Sequence, residues 1–383
     1  MQQQFKHFLI TGANGFIGKK LSIYLKSLNY KITAIIKNSP GNNQDNLSKN
    51  HLDNNYSNNL DHLDKNSLDN SPCDNQNNLK KNHNLYDQII THDFNQANNL
   101  AAIQSKLQNL PDQNFDAIIH LANIAHTHNN ISFTDYWQTN VLSTLDLLDL
   151  ALITKAKSMV YLSSIKAVQE PTTNTLLNEN FQDWPNYNDF YGTTKRMAEE
   201  LLLQKIQNPI YKNINLSILR PSLVYGPEVK GYLNLLIKAA KKYSLPNLTN
   251  TNNTRSMIHI DDLITAILLA SQNNAANGKI FILSDNTPYS TKQIFDHIKQ
   301  QTATQHSYLF NLLAKIPIPY FPLIMLAKLV DVLQIFLPKK LANKLFFNSI
   351  ILNKLFGSSY FSSSKIQTCL NWQPTHTFFD SKF

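Results

Sequence analysis

The stretch Thr11-Gly12-Ala13-Asn14-Gly15-Phe16-Ile17-Gly18 constrains this chain most, because an apolar run enters it and a helical pattern leaves it. Residues 5–10 read as a strand, and residues 19–28 as the helix. In such a turn Gly12 permits the tight bend, Gly15 lets the backbone approach a pyrophosphate, and Gly18 lets the helix pack on the sheet. Free N–H groups and the dipole at the helix start then attract the anion. A glycine triplet alone says little; strand before and helix after make it a dinucleotide-binding turn. Gly12, Gly15, Phe16, Ile17 and Gly18 are therefore candidate cofactor contacts.

The rest of the N-terminal part alternates to match. Further strands are expected at 31–36, 88–91, 117–121, 159–162 and 214–219, with a helix over 140–153 that places Val141, Leu145, Leu148 and Leu152 on one side. Strand–helix repetition of this kind predicts an α/β fold, a Rossmann doubly wound parallel sheet with right-handed crossovers. The 383 residues leave room for more than this sheet. Residues 1–220 read as the NAD(P)-binding domain, and 221–383 as a smaller mixed α/β substrate lobe, with 255–270 packing back on the first. Residues 38–86 interrupt the pattern: about a third are Asn, and few are large and apolar. Such a segment cannot bury enough surface to offset chain entropy, so a floppy insertion is expected.

The formal net charge of +9 raises nucleic acid as a partner, but the basic residues are scattered without a dense Lys/Arg stripe, and no nucleic acid is expected. Cys73 and Cys369 lie far apart without metal-ligand spacing, which argues against a disulfide framework or a metal site. With a polar start at residues 1–6 and no signal peptide, a cytoplasmic location is expected. His126 and His128 read as ordinary loop histidines. Residues 315–356 are rich in Leu, Ile and Phe, but four prolines and several charges interrupt them before the roughly 20 apolar residues a spanning helix needs. Amphipathic helices on the second lobe are expected there, with peripheral membrane contact as the alternative.

Chemistry is suggested by Tyr191-Gly192-Thr193-Thr194-Lys195. Residues four apart share a helix face, and a phenol beside a cation ionises below its usual pKa of about 10. Tyr191 could thus act as acid or base nearer neutrality. Ser164 lies just past the fifth strand, where switch-point chemistry belongs. The second strand ends in Ala34-Ile35-Ile36-Lys37-Asn38, with no acid to bond an adenosine ribose. Lys37 suits a 2′-phosphate, so NADP(H) is favoured over NAD.

Taken in order, these pieces resemble the extended short-chain dehydrogenase/reductase family of nucleotide-sugar epimerases, dehydratases and reductases. The resemblance is carried by the Gly12–Gly18 turn, His92-Asp93-Phe94, His120-Leu121-Ala122, Ser163-Ser164 and Tyr191…Lys195. It continues through Arg220-Pro221-Ser222-Leu223-Val224-Tyr225-Gly226-Pro227, Arg255-Ser256-Met257-Ile258-His259-Ile260-Asp261 and Leu370-Asn371-Trp372-Gln373-Pro374. It implies that Asp93 and Phe94 sit beside the adenine, that Leu121 and Ala122 line the cofactor path, and that Asn140 supports the site. It also implies that Arg255 grips a UDP-sugar diphosphate, that Tyr191 and Ser164 bond the sugar C4 oxygen, and that Lys195 orients the nicotinamide ribose. A homodimer is expected on the same ground. Ser163-Ser164-Ile165-Lys166 and the run from Arg220 look most like bacterial surface-polysaccharide (O-antigen) enzymes. These act at C4, as 4-reductases of UDP-4-keto-6-deoxy sugars or as UDP-sugar 4-epimerases; the missing acid after the second strand favours the reductase. A non-catalytic dinucleotide sensor is the remote alternative.

Overall fold

Seven strands form one sheet: β1 (His7–Thr11), β2 (Lys31–Ile36), β3 (Gln88–Thr91), β4 (Ala117–His120), β5 (Ser158–Leu162), β6 (Asn215–Pro221) and β7 (Lys279–Leu283). This computed structural model describes residues 6–37, 85–125, 131–170, 174–229, 231–243, 247–248, 253–302, 317–318, 320–336, 349 and 356–382. Strand order is β7-β6-β5-β4-β1-β2-β3, and every pairing is parallel. The order reverses between β1 and β4, which opens a crevice at the carboxyl ends of those two strands.

Both faces of the sheet are covered, which is why its strands read as continuous apolar runs rather than alternating ones. Phe8 and Ile10 of β1 point to one side, against Leu21 and Leu25 of α1 (Phe16–Ser27). Leu9 points to the other side, into a cluster with Ile103 of α2 (Asn99–Leu107), Leu147 of α3 (Ser143–Ile153) and Leu202 of α4 (Phe190–Lys205). All five residues of β1 and of β5 are buried.

The helix expected over 140–153 begins earlier. A short helix, Phe133–Tyr136, passes through a π-helical turn at Trp137–Leu142 into α3. The buried face shifts accordingly: Leu147, Leu148 and Leu150 are fully buried, while Leu145 and Leu152 are only half-buried. π-turns inside α-helices concentrate at functional sites, and this one carries Asn140.

A second lobe gathers around a third cluster. It includes Tyr225, Leu233, Leu236 and Ile237 of α5 (Tyr232–Tyr243), and Phe378 near the end of the chain. The lobes are not divided cleanly after residue 220, because α6 (Ile260–Gln272) packs Leu263 and Ile267 with α1, and β7 completes the first lobe's sheet. Back in the second lobe, α7 (Thr291–Thr302) adds Ile294 and Ile298, and α8 (Tyr320–Phe336) adds Ala327. The buried Asp285 carboxylate accepts from the hydroxyls of Tyr225 at 3.0 Å and Tyr289 at 2.7 Å. No described helix is long and apolar enough to cross a membrane.

Most of the Asn-rich stretch, along with His126 and His128, lies outside the described residues. Its last two residues are described, and they are not floppy. Tyr86 is buried, and its hydroxyl donates to the Ala13 carbonyl at 2.9 Å, tying the approach to β3 onto the glycine turn.

Candidate active site

The glycine turn is built as a cradle with no room for side chains. Gly12 has φ +66°, and a Cβ there would meet the Ala122 backbone nitrogen at 2.9 Å. A Cβ on Gly18 would come within 2.3 Å of the Gly12 carbonyl oxygen, so the start of α1 presses directly on the turn. A cavity of about 500 Å³ opens beside it, lined by Gly12, Gly15, Lys37, Asp93, Phe94, Leu121 and Ala122 among others. Seven of the residues expected to hold a dinucleotide thus share one cavity. Phe16 and Ile17 are half-buried and pack into the core instead.

Lys37 is at the cavity edge, but its ammonium lies 3.1 Å from the Asp93 carboxylate, both side chains being partly exposed. The positive charge that suggested a 2′-phosphate is already balanced by an acid.

A chain of polar contacts fixes the floor of the crevice. Thr144 donates to the Asn140 carbonyl at 2.7 Å, so its hydroxyl can accept only from the His120 Nε2–H, 3.0 Å away. His120 Nδ1 therefore accepts from Thr11, at 2.7 Å, while the Thr11 oxygen takes the N–H groups of Leu121 and Ala122. Complete burial holds His120 neutral, its pKa well below the usual imidazole range. The result is a locked tautomer joining the ends of β1 and β4.

Asn140 does not face the cavity with a free amide. Its oxygen accepts from Ile124 N–H at 2.8 Å, and its nitrogen donates to the Ile124 carbonyl and to Thr194 on α4. It is a positioning residue that ties the loop after β4 to the helix carrying Tyr191 and Lys195. Gly192 was not singled out in the sequence, yet it matters here. A Cβ on Gly192 would lie 2.4 Å from the Lys166 carbonyl, so glycine lets α4 settle onto the loop that bears Ser164. Asp189 caps that helix by accepting from Gly192 N–H at 3.1 Å.

Ser164, Tyr191 and Lys195 come together as expected from their spacing. Ser164 is the residue before a 3-10 turn at Ile165–Ala167; its hydroxyl accepts from Lys166 N–H at 3.2 Å and stands close enough to the Tyr191 phenol to pull that group's pKa down. Lys195 is almost wholly buried; its Nζ donates to the Leu162 carbonyl at the end of β5 at 2.8 Å. That Nζ also lies 4.6 Å over the Tyr161 ring and 5.9 Å from the Tyr191 ring centroid. Behind it, the Arg220 guanidinium grips the Glu199 carboxylate in a two-pronged pair at 2.9 and 2.6 Å, with neither side chain measurably exposed to solvent beyond 1%.

The electrostatics differ from the sequence expectation. Burial pushes the Tyr191 phenol up to about 12, against the opposing Ser164 hydrogen bond. Burial likewise pulls the Lys195 ammonium down to about 7, against the pull of Glu199. Desolvation outweighs the Ser164 hydrogen bond at Tyr191 and the Glu199 charge at Lys195, and each group is driven toward its neutral form. A second positive charge entering beside the phenol is what would bring its pKa back down.

Arg255 lies on the second lobe, half-buried, and not among the residues lining the 500 Å³ cavity. Its backbone is pinned on both sides, donating to the Tyr289 carbonyl at 2.8 Å and accepting from Tyr289 N–H at 3.0 Å, with Ser359 bridged to it as well.

Comparison with known proteins agrees with this geometry. The model of the NAD-dependent epimerase/dehydratase family matches residues 8–284, from β1 through β7. The chain belongs to that family. Among curated relatives, a UDP-glucose 4-epimerase of Vibrio cholerae is 27% identical over 70% of this chain and 75% of its own length. An N-acetyl-α-D-glucosaminyl-diphospho-ditrans,octacis-undecaprenol 4-epimerase of Escherichia coli O157:H7 is 24% identical over 66% of this chain and 72% of its own. Four other curated relatives are matched over 33% to 60% of their length. A solved UDP-glucose 4-epimerase of Thermotoga maritima, in complex with UDP-glucose, superposes with a TM-score of 0.64 at 17% identity, covering 98% of this chain and 96% of that one. This epimerase/dehydratase-family chain therefore carries the extended short-chain dehydrogenase/reductase fold and its dinucleotide turn.

Proposed function

We propose that this protein is an NAD-dependent UDP-sugar 4-epimerase acting on a UDP-hexose or UDP-N-acetylhexosamine. The observation that carries the proposal is the meeting of Ser164, Tyr191 and buried Lys195 at the end of β5, the strand paired with β4, after which Leu121 and Ala122 line the glycine-turn cavity. Three of the relatives are named 4-epimerases, and those names supply the position on the sugar.

The cradle of Gly12, Gly15 and Gly18 would hold the pyrophosphate of NAD, and the pocket of Asp93, Phe94, Leu121 and Ala122 its adenosine half. NAD, when bound, supplies a hydride acceptor and a positive charge next to the phenol. Tyr191 holds or takes the proton of the sugar C4 hydroxyl at its phenolic oxygen, and Ser164 bonds the same oxygen and fixes its direction. Lys195 stays tied to the Leu162 carbonyl, stands by the Tyr191 ring and orients the ribose next to it. Arg255, from the second lobe, is assigned to the diphosphate, whose oxygens suit a planar fork. No acid follows Ser164, since Ile165 is buried and Lys166 pairs with Glu170; a dehydratase would place a second acid there.

A 4-keto reductase that consumes NADPH is the second reading, favoured by the lack of an acid at the end of β2. The Lys37–Asp93 pair weakens it. Either activity suits the synthesis of a surface polysaccharide. Incubating the purified protein with UDP-glucose, UDP-N-acetylglucosamine and a UDP-4-keto-6-deoxy sugar, with and without NADPH, separates the two. Epimer formed without added reductant supports the proposal. Stoichiometric NADPH loss with the keto sugar alone would replace it by the reductase, and no turnover of any would leave the sensor.

A further inference from the structure

Two histidines and an aspartate that the proposed chemistry does not use meet where the second lobe joins α6. His259 ends the short strand Met257–His259, Asp261 stands in the first turn of α6, and His376 lies near the end of the chain. One nitrogen from each imidazole and one Asp261 carboxylate oxygen all lie within 4.8 Å of one another. The two rings stack with their centroids 4.2 Å apart. None of the three residues lines the nucleotide cavity.

Hydrogen bonds fix which ring nitrogens carry lone pairs. Thr375 donates its hydroxyl proton to Asp262 Oδ1 at 2.8 Å, so the same hydroxyl oxygen, 2.9 Å from His376 Nδ1, accepts from that nitrogen. Asp262 Oδ1, in a buried side chain, stands 3.1 Å from the same Nδ1. The His376 proton therefore sits on Nδ1, and Nε2 keeps its lone pair. A carboxylate behind one ring nitrogen is the usual support of a metal-binding histidine. In His259 the assignment is reversed. Its Nδ1 accepts from the Asp261 N–H at 3.3 Å, while its Nε2 packs against the turn at Gly226, where an added Cβ would lie 3.2 Å away. The His259 lone pair thus stands 3.6 Å from Asp261 Oδ2 with no proton between them. Two such electron-rich atoms repel unless a cation joins them. With bonds of about 2.0–2.2 Å, two ligands of one tetrahedral ion stand roughly 3.3 Å apart, close to this spacing. The His259 side chain is 8% exposed and fixed, whereas those of Asp261 and His376 are 61% and 41% exposed and have room to turn toward it. Two imidazoles and a carboxylate, without a thiolate, suit zinc among the divalent ions.

We propose that His259 Nδ1, the Asp261 carboxylate and His376 Nε2 bind one divalent ion of the zinc type, with the fourth position left to water. The ion would tie the C-terminal segment to the start of α6, His376 and Asp262 being 114 positions apart in the chain. This proposal is independent of the sugar chemistry and can fail without touching it.

The test is calorimetric titration of the full-length, untagged protein with zinc after treatment with a chelator, followed by visible absorption of the cobalt-loaded protein. A single zinc ion per chain is expected, with a Kd of about 10 µM or tighter. Cobalt in the same place should show the visible bands of a four-coordinate ion. His376→Ala and Asp261→Asn should each weaken zinc at least about tenfold, since losing a ligand costs no less than losing the partner behind one. Zinc at about 100 times its Kd should raise the wild-type Tm by roughly 2–4 °C and leave both variants unmoved. The Asp261 side chain is mostly exposed, so Asp261→Asn keeps the test open even where His376→Ala folds poorly. Zinc binding weaker than about 100 µM overturns the proposal. So does undiminished binding in both variants, which would mean scattered surface histidines only.

Discussion

Removing either half of the Glu199–Arg220 pair should expose how the catalytic helix is held. The two side chains are at most 1% exposed and joined by two short hydrogen bonds, so each is a charge the protein tolerates only because of the other. Breaking a buried pair from one side costs about 3–5 kcal/mol, whereas replacing both by apolar groups of like volume is often close to neutral. Glu199→Leu and Arg220→Met are therefore each expected to lose about 3–5 kcal/mol, lowering Tm on the order of 10 °C. The double variant should lose less than either single one. The assay is guanidinium unfolding of all four proteins under one buffer condition, read as a double-mutant cycle. Glu199 also raises the Lys195 pKa, so the double variant should regain stability while its Lys195 ammonium falls further below about 7. Stability and turnover at neutral pH would then part company. Additive losses, with the double variant as unstable as the sum of the singles to within about 0.5 kcal/mol, would refute the reasoning.

Three further outcomes follow from other parts of the molecule. Gly18→Ala places a Cβ 2.3 Å from the Gly12 carbonyl, and should cost about 1–3 kcal/mol by melting while weakening NAD binding by calorimetry. Asp93→Asn releases Lys37 from its ion pair, and the preference for NADP over NAD should rise about fivefold in titrations, an exposed pair being worth up to about 1 kcal/mol. Burial raises the Asp285 carboxyl to about 6, so its contribution to stability is fully present below the unfolded value near 3.8 and lost as pH rises through 6. Asp285→Asn should flatten the stability-versus-pH curve between pH 4 and 6 by up to about 3 kcal/mol, measured by thermal melts across that window.

What could be read from the sequence was local. Strands 31–36 and 88–91 appear with the expected bounds, because period and turn residues are visible within a few positions. The glycine cradle was legible for the same reason, its three glycines standing between a strand and a helix. What stayed hidden depends on residues distant in the chain. The edge strand β7 pairs with β6 across more than fifty residues. Asn140 matters through Ile124 and Thr194, and Gly192 through the Lys166 carbonyl, neither of which is a sequence neighbour. The Tyr191 and Lys195 electrostatics ran opposite to expectation because adjacency in a helix is visible in sequence, while the burial that overrides it is not. The end of β2 shows the same limit: Lys37 looks unopposed until Asp93, from the end of β3, is folded against it.

The most direct test of the central claim is turnover of a UDP-sugar by Tyr191→Phe, with NAD affinity measured on the same preparation. Loss of the phenolic proton should reduce kcat by about 10²–10⁴-fold while NAD binding stays within a factor of a few of wild type. Wild-type turnover by Tyr191→Phe would mean that the cluster at the end of β5 is not where the proton at C4 is handled, and the account of the site would fall.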